Sequence, residues 1–214
     1  MPQPHRQSSP AVARNRDPIY QVLKSYLPPE GLILEIASGT GEHGAYFAPK
    51  IDPLVWQPSD RSPEALQSIR AWKQDQNYTN LGDPIEIDVL APHWWQRVQN
   101  KRSDLFPHLP LMGIVTINMI HISPWEATLG LMQGAAALLP PQGWLYLYGP
   151  FHRNGVPTAP SNVEFDQYLQ LQDPRWGVRT LEEVVEAAAG LALQAAIAMP
   201  ANNLSVIFRK VSEP

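Results

Sequence analysis

The stretch Leu34-Glu35-Ile36-Ala37-Ser38-Gly39-Thr40-Gly41 decides how the rest of the chain is understood. The apolar run 32–37 predicts a buried strand that stops at Ser38-Gly39-Thr40-Gly41, and a helical pattern follows from Glu42 to about Pro49. Glycines in such a turn let a ligand approach the backbone where a side chain would block it. Ligands of open α/β sheets bind outside the carboxyl ends of strands, and this turn stands at one. Gly39, Gly41 and Gly44 match the GxGxxG spacing loosely, which is weak evidence by itself.

Outward from this stretch, apolar runs alternate with helical patterns. Leu54-Val55-Trp56 predicts a short second strand, and Ser62-Pro63-Glu64 opens a helix through Trp72, with a serine cap and proline at its first position. Ile85–Val89 alternates as a strand does, and Leu111–Ile117 is the continuous apolar run of a central parallel strand. Ser123-Pro124-Trp125-Glu126 has capping-box spacing and predicts a helix to about Leu139. Trp144–Tyr148 is a further strand. Ser161-Asn162-Val163-Glu164 and Thr180-Leu181-Glu182-Glu183 repeat the capping-box spacing. Leu191–Met199 and Leu204–Arg209 form two strands around Pro200-Ala201-Asn202-Asn203, a hairpin connection because Asn tolerates turn geometry. Strand–helix alternation implies an α/β fold, a mostly parallel sheet with helices on both faces. The C-terminal antiparallel hairpin separates one doubly wound group from ordinary dinucleotide-binding folds.

The composition bounds the function. The chain has 214 residues, 44% hydrophobic and 17% charged, enough for one core and too apolar for a disordered chain. Residues 1–12 are expected to be a disordered tail and 13–214 a single domain. No apolar run reaches the ~20 residues that cross a bilayer, and the N-terminus lacks the apolar segment of a secretory signal. A net charge of −4 disfavours a phosphate-backbone binder, so no nucleic-acid partner is expected. Cysteine is absent, which excludes disulfides, thiolate metal sites and cysteine nucleophiles and is compatible with a cytoplasmic location. The histidines are scattered without HExxH, and no metal is expected. The 23 prolines are spread between apolar runs as helix starts and loop stiffeners.

Two further acids join Glu35. Asp60 lies 21 residues after Gly39, near the ~20 expected for an acid that grips ribose hydroxyls. Asp88 ends the third strand. Three acids at successive strand ends point to one crevice and favour a positively charged nucleoside over a phosphate-bearing dinucleotide.

At these residues the chain resembles class I S-adenosylmethionine-dependent methyltransferases. More closely it resembles a small methyltransferase-like family of the methyltransferase-like protein 26 type, through the blocks LEIASGTGEH, WQPSD, NMIHISPW, LYGPF, SNVEFD and MPANN. The resemblance implies a Rossmann-like class I methyltransferase fold with a seven-stranded sheet, and S-adenosyl-L-methionine as cofactor. It implies that Ala37, Gly39 and Gly41 line the methionine part and that Glu35 orients the loop or reaches the methionine amino group. Asp60 binds the ribose, Arg61 lies beside the adenine, and Asp88 with the Val89 backbone holds the adenine amino group. Asn118 and Met119 follow the fourth strand, where methyl donor faces acceptor.

Methyl transfer from a sulfonium needs alignment and exclusion of water, and a base only when the acceptor must lose a proton. His121 is the candidate base, expected to titrate near neutrality. Arg14, Asn15, Trp125, His152, Asn162, Phe165 and Asn202 are candidates for binding a small-molecule acceptor, with Arg14-Asn15-Arg16 as a lid. Asn118-Met119-Ile120-His121 replaces the acid or amide followed by Pro-Pro-aromatic common among enzymes that methylate exocyclic amines, which argues against that chemistry. Two other readings share the fold. A non-catalytic cofactor binder or interaction module predicts binding without turnover. A nicotinamide-dependent oxidoreductase predicts NAD binding and is disfavoured by the loop acids.

Overall fold

The computed structural model describes residues 6–76, 78–105 and 108–211. They fall into two compact units, Met1–Asp88 with Gln96–Thr116, and Val89–Trp95 with Ile117–Pro214.

The first unit is built on parallel strands. β1 (Leu32–Ile36) is buried at every residue, as its uninterrupted apolar run requires. It pairs in parallel with β2 (Val55–Asp60) on one side and β4 (Leu111–Ile117) on the other, and β3 (Ile85–Glu86) pairs with β2. The order is therefore β3-β2-β1-β4. β2 runs four residues beyond Trp56 because its polar residues find partners inside the sheet. The Gln57 amide donates to the Pro58 and Asp83 carbonyls, and the Ser59 hydroxyl donates to the Glu35 carbonyl. β3 is shorter than its alternation predicts.

Helices α1 (Pro10–Leu23), α2 (Glu42–Phe47), α3 (Pro63–Gln76) and most of α4 (Trp94–Leu105) complete this unit. α1 begins inside the expected tail, takes in the expected lid Arg14-Asn15-Arg16, and continues through residues 17–23, for which the sequence predicts no element. Of that expected tail, residues 1–5 lie outside the described residues, and residues 10–12 open α1 with Val12 buried. Phe47, Trp56, Ile69 and Ile33 are buried without exposed surface, and the Phe47 and Trp56 rings lie 5.2 Å apart. Each such side chain contributes roughly 1.5–3 kcal/mol by leaving water.

The second unit holds α5 (Trp125–Leu138), β5 (Trp144–His152), α6 (Pro160–Gln172), β6 (Arg179–Thr180), α7 (Leu181–Glu186), β7 (Leu191–Met199) and β8 (Asn203–Lys210). β8 pairs antiparallel with both β5 and β7, so the order is β5-β8-β7, and the two-residue β6 adds in parallel to β5. The C-terminal hairpin expected from the sequence is thus present. Its turn holds Ala201 and Asn202 in the left-handed region at φ 58° and 56°. β7 lies at the rim; seven of its nine residues are Ala, Leu or Ile, and a bulge falls between Leu193 and Ala195.

Helix starts differ in detail from the capping-box expectation. α5 has Pro124 at its N-cap, and the Ser123 hydroxyl donates to the Met119 carbonyl instead of capping. α6 begins one residue before Ser161, at Pro160. At α6 Pro160 takes the first helical position, which proline's fixed φ suits without help from a serine oxygen. Among the described residues no helix is long and apolar enough to cross a membrane.

Candidate functional site

In the first unit the chain leaves β1 through a turn of unusual backbone. Ala37, Gly39 and Gly41 have φ of 56°, 55° and 82°. The three glycines do different work. A methyl group built on Gly39 would meet no atom within 4 Å, so this residue presents bare backbone outward. On Gly41 it would lie 2.9 Å from the Ile69 Cα of α3, and on Gly44 3.0 Å from the Trp56 ring. Gly41 and Gly44 therefore allow close packing of α2, and Gly39 is the one left open to a ligand.

Asp60 closes the turn from β2. Its Oδ2 accepts from the Gly39 N–H at 2.9 Å and its Oδ1 from the Ser62 N–H at 2.9 Å. Each oxygen keeps a lone pair beyond that bond, which suits a pair of hydroxyl donors. The Asp60 carbonyl holds the Ile87 N–H at 3.1 Å, which brings Asp88 alongside. Asp88 is half-buried and faces the exposed Arg61 guanidinium at 3.9 Å. Gly39, Asp60, Arg61 and Asp88 are thus brought together.

Glu35 departs from the expectation that three acids face one crevice. It is 1% exposed, and its Oε2 accepts from the Trp56 indole N–H at 3.0 Å. β1 is covered on both faces, so the Glu35 side chain is enclosed by the core and not by solvent. Burial pushes its carboxyl up to about 7; hydrogen bonds from Trp56 and Ser38 oppose the shift and the Asp60 charge adds to it. It reaches the turn through its backbone, since the Ser38 and Ser59 hydroxyls both donate to the Glu35 carbonyl.

α1 docks on the start of α2. The Asn15 amide oxygen lies 2.8 Å from His43 Nε2, both residues buried, and the Ser9 N–H donates to Glu42 at 2.9 Å. Arg14 is exposed on α1, and Arg16 lies 4.6 Å from the Tyr46 ring centroid. Burial, with the Arg16 charge adding, pushes the His43 imidazole down from 6.5 to about 3. The unfolded chain therefore binds a proton that the folded chain refuses. The His43 contribution to stability is complete above pH 6.5 and is lost as the pH drops through 6.5 toward 3. Urea unfolding at pH 7 and pH 5 is expected to show the parent losing about 1–2 kcal/mol more than His43→Gln does over that interval.

The second unit holds the remaining candidates. Val89 opens it, with its carbonyl packed on Gly130, where a Cβ would come within 2.1 Å. Asn118 follows β4 at φ 57°, and its N–H donates to the Tyr148 carbonyl at 2.8 Å. Met119 is buried. His121 is 3% exposed, lies edge-on to Phe165 at 5.7 Å, and keeps its Nδ1 without a hydrogen-bond partner. A Cβ on Gly149 would lie 3.0 Å from that nitrogen and 3.8 Å from the Asn118 amide oxygen, so these groups converge beside bare backbone of β5. Burial, with the Arg179 charge adding, pushes the imidazole down to about 4. His121 is therefore neutral at pH 7 and does not titrate near neutrality as expected; the desolvated ring disfavours its charged form.

Other candidates form pairs. His152 sits 2.9 Å from the Thr158 hydroxyl through Nδ1 and 3.8 Å from Asp166 through Nε2. The Asn162 amide donates to the Asn202 carbonyl, and the Asn202 amide donates to Ser161. Trp125 lies 5.8 Å from the Arg179 guanidinium on the wall of a cleft of about 440 Å³ shared with Glu183, Glu186 and Ala187. Arg179 escaped the sequence reading, because an isolated arginine whose partners are backbone carbonyls leaves no motif.

Solved structures share this architecture. An O-methyltransferase family protein from Burkholderia thailandensis matches with a TM-score of 0.72 at 16% identity, over 95% of this chain and 58% of that one. Human N-acetylserotonin methyltransferase in complex with SAM matches with a TM-score of 0.72 at 13% identity, over 94% and 53%. A putative sarcosine dimethylglycine methyltransferase from Galdieria sulphuraria matches at 0.68 and 13%, over 94% and 87%. The chain thus spans little more than half the length of the first two. The fold is the Rossmann-like fold of these methyltransferases. The chain belongs to the family described as a protein of unknown function (DUF938), whose pattern matches residues 6–210.

Proposed function

We propose that this chain is an S-adenosylmethionine-dependent methyltransferase, of the methyltransferase-like protein 26 type, acting on a small-molecule acceptor. The observation that carries the reading is the Asp60–Gly39 hydrogen bond, which joins a carboxylate with spare acceptor capacity to a glycine that nothing covers. A nucleoside with vicinal hydroxyls and a cationic amino-acid arm fits this donor and acceptor set. Asp60 would hold the ribose, Asp88 the adenine amino group with the Val89 backbone, and Arg61 the adenine edge. Ala37 and Gly39 would meet the methionine arm, while Gly41, expected to line it as well, packs against Ile69 and shapes the turn. Glu35, buried on Trp56, would orient the turn from beneath. Asn118 and Met119 would contribute at the donor end.

The cofactor supplies an already activated methyl group. The chain's own task is then to align the acceptor, exclude water and take a proton where the acceptor carries one. Neutral His121 offers Nδ1 as a hydrogen-bond acceptor to an O–H or N–H beside Gly149. Trp125, His152, Asn162, Phe165 and Asn202 would shape the acceptor side, and Arg14 with Asn15 would cover the cofactor as part of α1.

Calorimetry with S-adenosylhomocysteine tests the premise. Binding in the micromolar range is expected from the folded full chain, and thermal stabilisation by S-adenosylhomocysteine should exceed that by NAD. A folded chain that binds neither sinks the reading.

A further inference from the structure

The segment that carries His121 is held from one place. Arg179 donates from Nε to the Ile120 carbonyl at 3.2 Å and from Nη2 to the Ser123 carbonyl at 2.7 Å. Between those two carbonyls, the His121 carbonyl accepts from the Gly177 N–H at 3.0 Å. The bracing segment is itself pinned. Asp166 of α6 accepts from the Val178 N–H at 2.7 Å, and Arg179 Nη2 also donates to the Arg175 carbonyl at 2.8 Å. A planar guanidinium presents donors in a fixed fork and can hold two carbonyls of one loop at once, which an ammonium does less well.

The braced object is a strained choice of surroundings. A buried nitrogen without a partner has given up its bond to water and gained none in return. His121 Nδ1 is such an atom, with its ring walled by Phe165 and Gly149.

We propose that Arg179 is a positioning residue, whose grip on the Ile120 and Ser123 carbonyls fixes the His121 imidazole with Nδ1 kept free for the proton-bearing group of a methyl acceptor. This rests on the reading above that the second unit carries the acceptor chemistry. Arg179 acts through the loop and takes no proton. The charged group that faces His121 is Arg179 itself, from β6; Phe165 of α6 and Gly149 of β5 meet the ring without charge. Burial lowers the pKa of the Arg179 guanidinium, while the carboxylates of Asp166, Glu183 and Glu126 favour its charge.

The test uses the full chain with Arg179→Gln and Arg179→Lys. The ring nitrogens of His121 are followed by NMR from pH 8 to pH 4 and assigned with His121→Gln. Melting temperature and S-adenosylhomocysteine affinity are measured alongside. In the unsubstituted chain the ring should stay neutral down to the lower end of that range. Both Arg179 variants should move its titration upward and broaden its signal, with S-adenosylhomocysteine affinity held within about twofold because Arg179 bonds the Ile120, Ser123 and Arg175 carbonyls and no group assigned to the cofactor. An unmoved titration in both variants, even with a lowered melting temperature, reduces Arg179 to a structural role and overturns the proposal. Full restoration by Arg179→Lys also overturns it, because charge alone would then suffice. If Arg179→Gln fails to fold, Arg179→Lys decides. If the unsubstituted chain binds no S-adenosylhomocysteine, the cofactor reading fails by that separate measurement, and the NMR comparison still decides whether the brace exists.

Discussion

Asp60→Ala is expected to weaken S-adenosylhomocysteine binding about 100-fold, roughly 2.7 kcal/mol. Hydrogen bonds to a charged group are worth about 1.5–3 kcal/mol each, and a carboxylate that holds two ribose hydroxyls forfeits both. The same change releases the Gly39 N–H, so the turn loses its tie to β2. Asp60→Asn keeps one acceptor oxygen for the turn and should retain more affinity than alanine. Calorimetry on the three proteins, with folding checked by circular dichroism, reads the effect. Equal affinities in all three would remove Asp60 from the cofactor site.

A second large effect concerns stability and pH. The Glu35 carboxyl is raised from 4.5 to about 7 in the folded chain, by burial first. Between those values the folded chain keeps a proton that the unfolded chain gives up. The Glu35 contribution to the unfolding free energy therefore falls as pH rises from 4.5 to about 7, and above that the full cost of a buried carboxylate is present. Glu35→Gln mimics the protonated form and still accepts from Trp56. The variant should match the parent near pH 5 and exceed it by about 2–3 kcal/mol at pH 8. Urea unfolding at both values checks this; a difference that does not grow with pH would show that Glu35 is not held protonated. This limb opposes the acid limb set by His43 and His121, so the contributions partly cancel between pH 4.5 and 6.5.

These effects rest on features that differ in how visibly they are written. β4 coincides with its apolar run, Leu111–Ile117, because a strand buried on both faces needs only continuous hydrophobicity. The Gly39–Gly41 turn was legible for a similar reason, since few other residues follow a strand with left-handed backbone. β2 was legible only in part: Gln57, Pro58 and Ser59 look like a loop, and only their partners across the sheet make them a strand. α1 is obscured by Pro18 in its interior and by its charged residues.

Within the candidate site, spacing located Asp60 and Asp88 but not the direction in which Glu35 points. A side chain's face follows from register, and the indole N–H that claims Glu35 lies 21 positions away. His121 was found by its place after a strand, whereas its lost basicity follows from burial that no local pattern encodes. Arg179 reaches carbonyls 56 and 59 positions away, and a carbonyl is the same in every residue.

The rim strand β7 has a practical consequence for anyone concentrating this protein. It offers a nine-residue backbone edge with neither lysine nor proline to discourage a visiting chain. What interrupts that edge is the bulge beside Gln194, whose side-chain oxygen takes a hydrogen bond from Arg209 on the neighbouring strand. Replacing Gln194 would remove that bond and leave the bulge without this tie to β8.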